Sequence, residues 1–248
     1  MTSESEMSTS FGAVAATYDA ARPGYPAKAV AWLLQPVAAD HPTVADVGAG
    51  TGKLTRAVLA TGARVQAIDP DPAMLAQLAA TLPQVSTAVG TAEQIPLADG
   101  AVDAVVLGQA WHWVDPVAGS HECARVLRPG GVLGLVWNVR DESVAWLRRL
   151  STIMHSSRSE QLISAGGPEV AAPFADLERA EFEWQTTITR QGVLDLARSR
   201  SYVITASPQR REEIESGLVA LCDDLGLTGD RTVELPYRTY AYRARRPS

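Results

Sequence analysis

Only two cysteines occur in the 248 residues, Cys123 and Cys222, and neither sits in a CxxC pair. A disulfide framework, a zinc ribbon and a dithiol redox centre are therefore excluded, and a reducing cytoplasm fits best. Basic residues are also few. Lys and Arg number 22 against 28 Asp and Glu, for a formal charge of −6. Nothing here grips a nucleic-acid backbone by counterion release, and a small-molecule substrate is favoured. No apolar run approaches the roughly 20 residues that cross a bilayer, so Val132–Trp137 reads as a buried strand. The first ten residues, MTSESEMSTS, lack the apolar core of a signal peptide and read as a flexible tail. What the chain does have is 46% hydrophobic content, enough to bury one substantial core. Residues 11–248 are expected to form one α/β domain, monomeric or homodimeric, with cap elements from 11–40 and from about 144–230.

Short β-rich runs alternate with helical patterns through the first 140 residues. Thr43–Val47, Arg64–Asp69, Val85–Val89, Val102–Leu107 and Val132–Trp137 read as strands of a parallel sheet. Asp71-Pro72 and Asp115-Pro116 each pair an N-cap with proline at the first helical position, which predicts helices beginning there. Later segments predict a helix over 143–157, a loop to Pro173 and a strand over 181–188. Helices over 191–198 and 208–225 and a strand over 232–242 follow. Helices over 11–18 and 29–34 precede the first strand.

The most informative stretch is Val44–Thr55, VADVGAGTGKLT, where a strand runs into a glycine burst and a helix begins. Three nucleotide chemistries use similar letters. A triphosphate loop needs glycine where Val47 stands and a hydroxyl where Leu54 stands. A dinucleotide fingerprint needs glycine where Lys53 stands. The pattern is instead GxGxG, at Gly48, Gly50 and Gly52. Such a loop brings backbone close to a ligand with no pyrophosphate to seat, such as a nucleoside bearing a short amino-acid tail. Asp69 ends the second strand 23 residues after Asp46, where a carboxylate can accept both ribose hydroxyls.

With VADVGAGTG, AIDPDPAML, GTAEQIPLADGAVDAVVLGQAWHWVD and ECARVLRPGGVLGLVWN in this order, the chain resembles the class I S-adenosylmethionine-dependent methyltransferases. Within them it is similar to the small-molecule group (type 11) that includes trans-aconitate methyltransferase-like enzymes. YDAARPGYP, ARSRSYV and LPYRTYAY extend the likeness more loosely. The resemblance implies a Rossmann-like seven-stranded sheet in the order 3-2-1-4-5-7-6, strand seven antiparallel, with a small helical cap. It also implies S-adenosyl-L-methionine as methyl donor, S-adenosyl-L-homocysteine as product, and no metal.

It further implies site residues. Asp46, Gly48, Ala49, Gly50 and Gly52 form the donor loop, with Asp69, Pro70 and Met74 on the ribose and adenine side. Ala92 and Glu93 hold the adenine edge, and Thr91 stands where the family usually has an acid. Gln109 and Ala110 line the methionine tail, while Trp111, His112 and Trp113 flank the transferred methyl. Tyr18 and Arg22 come from a covering N-terminal segment, joined by Tyr25, and Arg198, Arg200 and Tyr202 face the acceptor from the cap. His112 serves as base if the acceptor is a hydroxyl or a protonated amine. A carboxylate acceptor needs no base and makes the arginines matter more. Met74 at helical spacing and the tryptophans also have plain packing readings.

Nucleic-acid base methylation is disfavoured. GQAWHW follows the fourth strand where amine-methylating enzymes carry Asp/Asn-Pro-Pro-aromatic, and Cys123 follows Glu122 rather than proline. A nicotinamide-dependent oxidoreductase and a non-catalytic S-adenosylmethionine-binding module stand as alternatives.

Overall fold

The computed structural model describes residues 22–155, 157–199, 203 and 206–248. Its strands are β1 (Thr43–Val47), β2 (Arg64–Asp69), β3 (Ser86–Val89), β4 (Val102–Gly108), β5 (Leu127–Arg140), β6 (Glu178–Thr189) and β7 (Thr232–Arg245). They form one sheet in the order β3-β2-β1-β4-β5-β7-β6. The first five strands pair in parallel, and β7 runs antiparallel to both β5 and β6. The strand order and the reversed strand are those implied by the family resemblance.

Helices cover both faces, which is why β4 can read Val-Asp-Ala-Val-Val-Leu-Gly and be buried along most of its length. On one face, α1 (Ala27–Leu34) and α2 (Lys53–Leu59) bring Val30, Leu33, Leu54 and Val58 onto Val44, Val106 and Val136. On the other, Trp111, Cys123 and Val126 pack on Val105, Leu107, Leu133 and Trp137, with the last two of the trio's helix partners coming from α4 (Pro116–Val126). Each such side chain contributes about 1.5–3 kcal/mol by leaving water. Both Asp-Pro start signals form as expected. Asp71 accepts the Ala73 N–H at 2.8 Å and starts α3 (Pro72–Thr81), and Asp115 accepts from Val117 and Ala118 to start α4.

The C-terminal part adds α5 (Ala145–Met154), α6 (Arg158–Ser164), α7 (Arg190–Arg198) and α8 (Pro208–Asp224). Leu147, Leu150, Met154, Val193, Ile214 and Leu218 form a separate apolar cluster that also takes in Leu235 and Tyr237 of β7. This is the cap.

Several bounds differ from the sequence reading. The helix expected over 143–157 is shorter, and the expected loop to Pro173 contains α6, opened by a capping box between Ser157 and Glu160. β5 begins at Leu127 rather than Val132, because Leu127 pairs with Val102 and Gly130 and Gly131 exchange backbone hydrogen bonds with Arg246. The helix expected over 11–18 lies outside the described residues. No helix among the described residues is long and apolar enough to cross a membrane.

Candidate active site

The glycine loop follows β1, whose neighbours are β2 on one side and β4 on the other, so it sits where strand order reverses. The Gly48 and Ala49 N–H groups both donate to the Ile68 carbonyl, at 2.8 and 3.0 Å, which folds the loop back over β2. Gly48 has φ +70°, and a Cβ there would stand 2.7 Å from the Ala110 Cβ, so only glycine fits. Gly50 has φ +54° with open space where a side chain would be. Gly52 caps α2 and packs against Leu78 of α3 and Leu82 just beyond that helix.

Asp69 lies behind this loop. Its Oδ2 accepts the Gly50 N–H at 2.8 Å and its Oδ1 accepts the Asp71 N–H at 2.9 Å, leaving each oxygen one further acceptor site. Burial raises its pKa, and the two N–H donors oppose that rise. Asp46 is fully buried in β1 and accepts the Thr55 hydroxyl at 2.5 Å on Oδ2. Its Oδ1 has no partner among the described residues. Burial pushes the Asp46 carboxyl up to about 7, with the neighbouring Asp69 charge adding to the rise.

A pocket of about 620 Å³, open mouth included, begins at the loop. Gly48, Gly50, Lys53, Gly108, Gln109 and Asn138 line one side, and Arg22, Pro23, Tyr25, Leu196 and Tyr237 the other. Gln109 adopts φ +56°, a strained conformation for a residue with a side chain. It is held there by its own N–H to the Val136 carbonyl at 2.9 Å and by Nε2 to the Asn138 carbonyl at 2.8 Å. Its Oε1 is buried with no partner among the described residues, an acceptor suited to an ammonium. Open space at Gly50, a carboxylate behind it and this acceptor fit S-adenosylmethionine, whose tail carries an ammonium and whose ribose carries two hydroxyls.

The other expected donor contacts are placed variously. Ala110 packs on Gly48, Pro70 is half-buried, and Met74 is buried on α3. Thr91 and Gln94 close a turn around Ala92 and Glu93. Ala92 belongs to the core, and Glu93 accepts the Asp115 N–H at 3.0 Å, so one of its oxygens already serves the start of α4.

The aromatic trio divides. Trp111 is 3% exposed and donates to the Glu169 carbonyl at 2.9 Å, which makes it core rather than pocket wall. Trp113 carries the Arg158 guanidinium over its ring at 4.9 Å, and its ring tilts against His112. The Trp137 indole N–H, which can only donate, reaches His112 Nδ1 at 3.4 Å, so the neutral imidazole keeps its proton on Nε2. Burial, with the charges of Arg158 and Arg22 adding, pushes the His112 pKa down to about 3. In this setting the neutral His112 imidazole presents its Nε2–H as a hydrogen-bond donor.

Arg22 reaches the end of α7, where Nε donates to Ser199 Oγ and a terminal nitrogen to the Ser199 carbonyl, both at 3.2 Å. Arg198 is drawn off to Asp195 and Glu215 and does not line the pocket. Tyr18, Arg200 and Tyr202 lie outside the described residues. Cys123 is buried with its thiol pKa raised by that burial, which leaves it no nucleophilic role. Arg158, Asn138, Lys53 and Tyr237 were missed from sequence. Lys53, Asn138 and Tyr237 stand inside quoted motifs, whereas Arg158 comes from a segment that carried no motif.

A sheet of this topology with a GxGxG loop at its switch point defines a class I methyltransferase architecture. Residues 45–135 match the family described as "Methyltransferase domain". An uncharacterised methyltransferase of Mycobacterium tuberculosis is 45% identical over 98% of both chains. A candidate type II methyltransferase of Anaeromyxobacter dehalogenans superposes with a TM-score of 0.64 at 25% identity, covering 91% of this chain and 98% of that one. Phosphoethanolamine N-methyltransferase 2 of Haemonchus contortus, solved with phosphomonomethylethanolamine and S-adenosylhomocysteine, shares the fold. It gives a TM-score of 0.55 at 16% identity over all of this chain and 61% of its own. The chain belongs to the S-adenosylmethionine-dependent methyltransferases.

Proposed function

We propose that the chain methylates a small carboxylate, with the acceptor held beside His112 between Arg22 and Arg158. The reading rests on the setting of His112: desolvation, with Arg158 and Arg22 adding, holds the half-buried imidazole neutral and too weakly basic to remove a proton, and the Arg158 guanidinium lies over the adjoining Trp113 ring. A hydroxyl or an ammonium would need a base there, whereas a carboxylate is already anionic at neutral pH. Guanidinium forks also match carboxylate geometry.

S-adenosylmethionine, when bound, supplies an electrophilic methyl on a sulfonium. Asp69 accepts the ribose hydroxyls, Gln109 Oε1 receives the tail ammonium, and Ala92 and Glu93 border the adenine. The glycine loop keeps the backbone flat against the donor. Arg22, from a segment crossing the pocket, and Arg158, beside Trp113, orient the acceptor oxygen, and His112 donates from Nε2 to the second oxygen. Alignment in a site closed to water can lower the barrier by about 7–11 kcal/mol.

The test is chemical. With donor labelled in its methyl group and a panel of small carboxylic acids, the product should release labelled methanol in alkali, as a methyl ester does. Label that survives alkali would mean oxygen-ether, nitrogen or carbon methylation and would overturn the carboxylate reading. Turnover should also show no limb from His112 between pH 6 and 8, since its pKa is held near 3, and any change across that range should trace to the buried Asp46, whose carboxyl is pushed up to about 7.

A further inference from the structure

We infer that Asn138, Thr239 and Trp184 form a hydrogen-bond relay that seats residues 22–25 across the donor pocket, so that Thr239 and Trp184 are positioning residues although neither lines it. The inference rests on the methyl-donor reading of that pocket. Residues 22–25 are one of its walls, through Arg22, Pro23 and Tyr25. Three contacts hold this strap. Arg22 bonds to Ser199 at the end of α7, the Gly24 carbonyl accepts from Asn138 Nδ2 at 2.9 Å, and Tyr25 lies so close to β4 that a Cβ on Gly108 would stand 2.5 Å from its hydroxyl.

The Asn138 contact is directional. The Trp184 indole can only donate, and it donates to Thr239 Oγ1 at 2.8 Å. The Thr239 hydroxyl therefore points its own proton onward, to Asn138 Oδ1 at 2.6 Å. That fixes the amide with its oxygen toward β7 and its NH2 toward the strap. Thr239 is fully buried and directly opposite Asn138 across the β5–β7 ladder, so water cannot substitute for the hydroxyl. The Asn138 backbone carbonyl receives Gln109 Nε2, which ties the strained pocket residue to the same point of β5. The apolar contacts of Trp184 do not need the N–H: its ring stacks on Tyr237 with centroids 5.1 Å apart.

Without the Thr239 proton, the Asn138 amide is free to turn and present its oxygen to the Gly24 carbonyl, where two acceptors repel. The strap should then lift more often, and a bound nucleoside should leave faster. The experiment uses the full chain with S-adenosylhomocysteine, measuring release by stopped-flow fluorescence and deuterium uptake in a peptide covering 22–34. Thr239→Val, which keeps shape, and Trp184→Phe, which keeps stacking, should each raise the release rate about five-fold, the effect of one lost buried hydrogen bond. Uptake in 22–34 should rise while that in 43–59 stays as in the wild type. Thr239→Ser should restore both readouts.

Release rates and uptake unchanged in Thr239→Val would overturn the relay. So would a Thr239→Ser variant as impaired as valine, since only packing would then matter. Failure of the wild type itself to bind S-adenosylhomocysteine would overturn the donor reading beneath it.

Discussion

The two halves of the molecule are held by different means. From β1 to β4 the functional elements are fixed by backbone: glycine φ angles, N–H groups on Asp69, and carbonyls receiving loop amides. In the cap, side chains meet side chains. Arg140 at the end of β5 is 2% exposed and pairs with Glu160 of α6 at 2.8 Å, while Arg190 and Arg198 pair with residues of α8. A backbone-built site recognises what all donors of one kind share. A side-chain-built site can change its acceptor without disturbing the donor, and that division explains why fold and donor are readable here before the acceptor is.

Four substitutions test the contrast. The largest effect should come from Glu160→Ala, which leaves the Arg140 charge buried without its carboxylate and should lower stability by about 3–5 kcal/mol in urea unfolding. If donor binding falls in proportion, the halves are not separable. Asp69→Ala should weaken S-adenosylhomocysteine binding about 100-fold in calorimetry, since two charge-assisted hydrogen bonds are lost, with the cap unaffected by hydrogen exchange.

Next in size is a pH effect at the junction. Folding holds the His112 pKa at about 3, below the usual value near 6.5, so protons bind preferentially to the unfolded chain between these limits. His112 thus favours folding above about 6.5 and loses that contribution on acidification. The stability difference between wild type and His112→Gln should shift against the wild type as pH falls from 6.5 toward 4, steepening to roughly 1 kcal/mol per pH unit. Asp46, pushed up to about 7, acts in the opposite sense in both proteins and cancels from the difference. The smallest change is expected from Asp115→Ala, about 1 kcal/mol for the lost cap of α4 with donor affinity little altered.

The same division governs what the sequence could tell. β1 and β2 are bounded as read, because Gly48 and Asp69-Pro70 punctuate them locally. The Asp-Pro helix starts were likewise legible, and so was the glycine loop. α6 was not, since Arg158–Ser164 is short and polar, although Ser157 and Glu160 carried a capping-box signal. β6 begins at Glu178 rather than Glu181 because its pattern of Glu, Arg and Glu follows the edge of a sheet and not a buried face. Leu196 and Tyr237 line the pocket from segments far along the chain. Only packing brings such residues to a pocket whose floor is written in one short stretch.

The final strand has a consequence for synthesis. β7 lies inside the sheet between β5 and β6, yet it follows both in the chain. While the polypeptide emerges, β6 has no neighbour to accept its amides and Leu235 and Tyr237 are not yet there to close the cap's apolar cluster. The donor-binding half can assemble on the ribosome, but the cap must wait for residues 232–245, leaving an exposed strand that chaperones or aggregation partners would meet first.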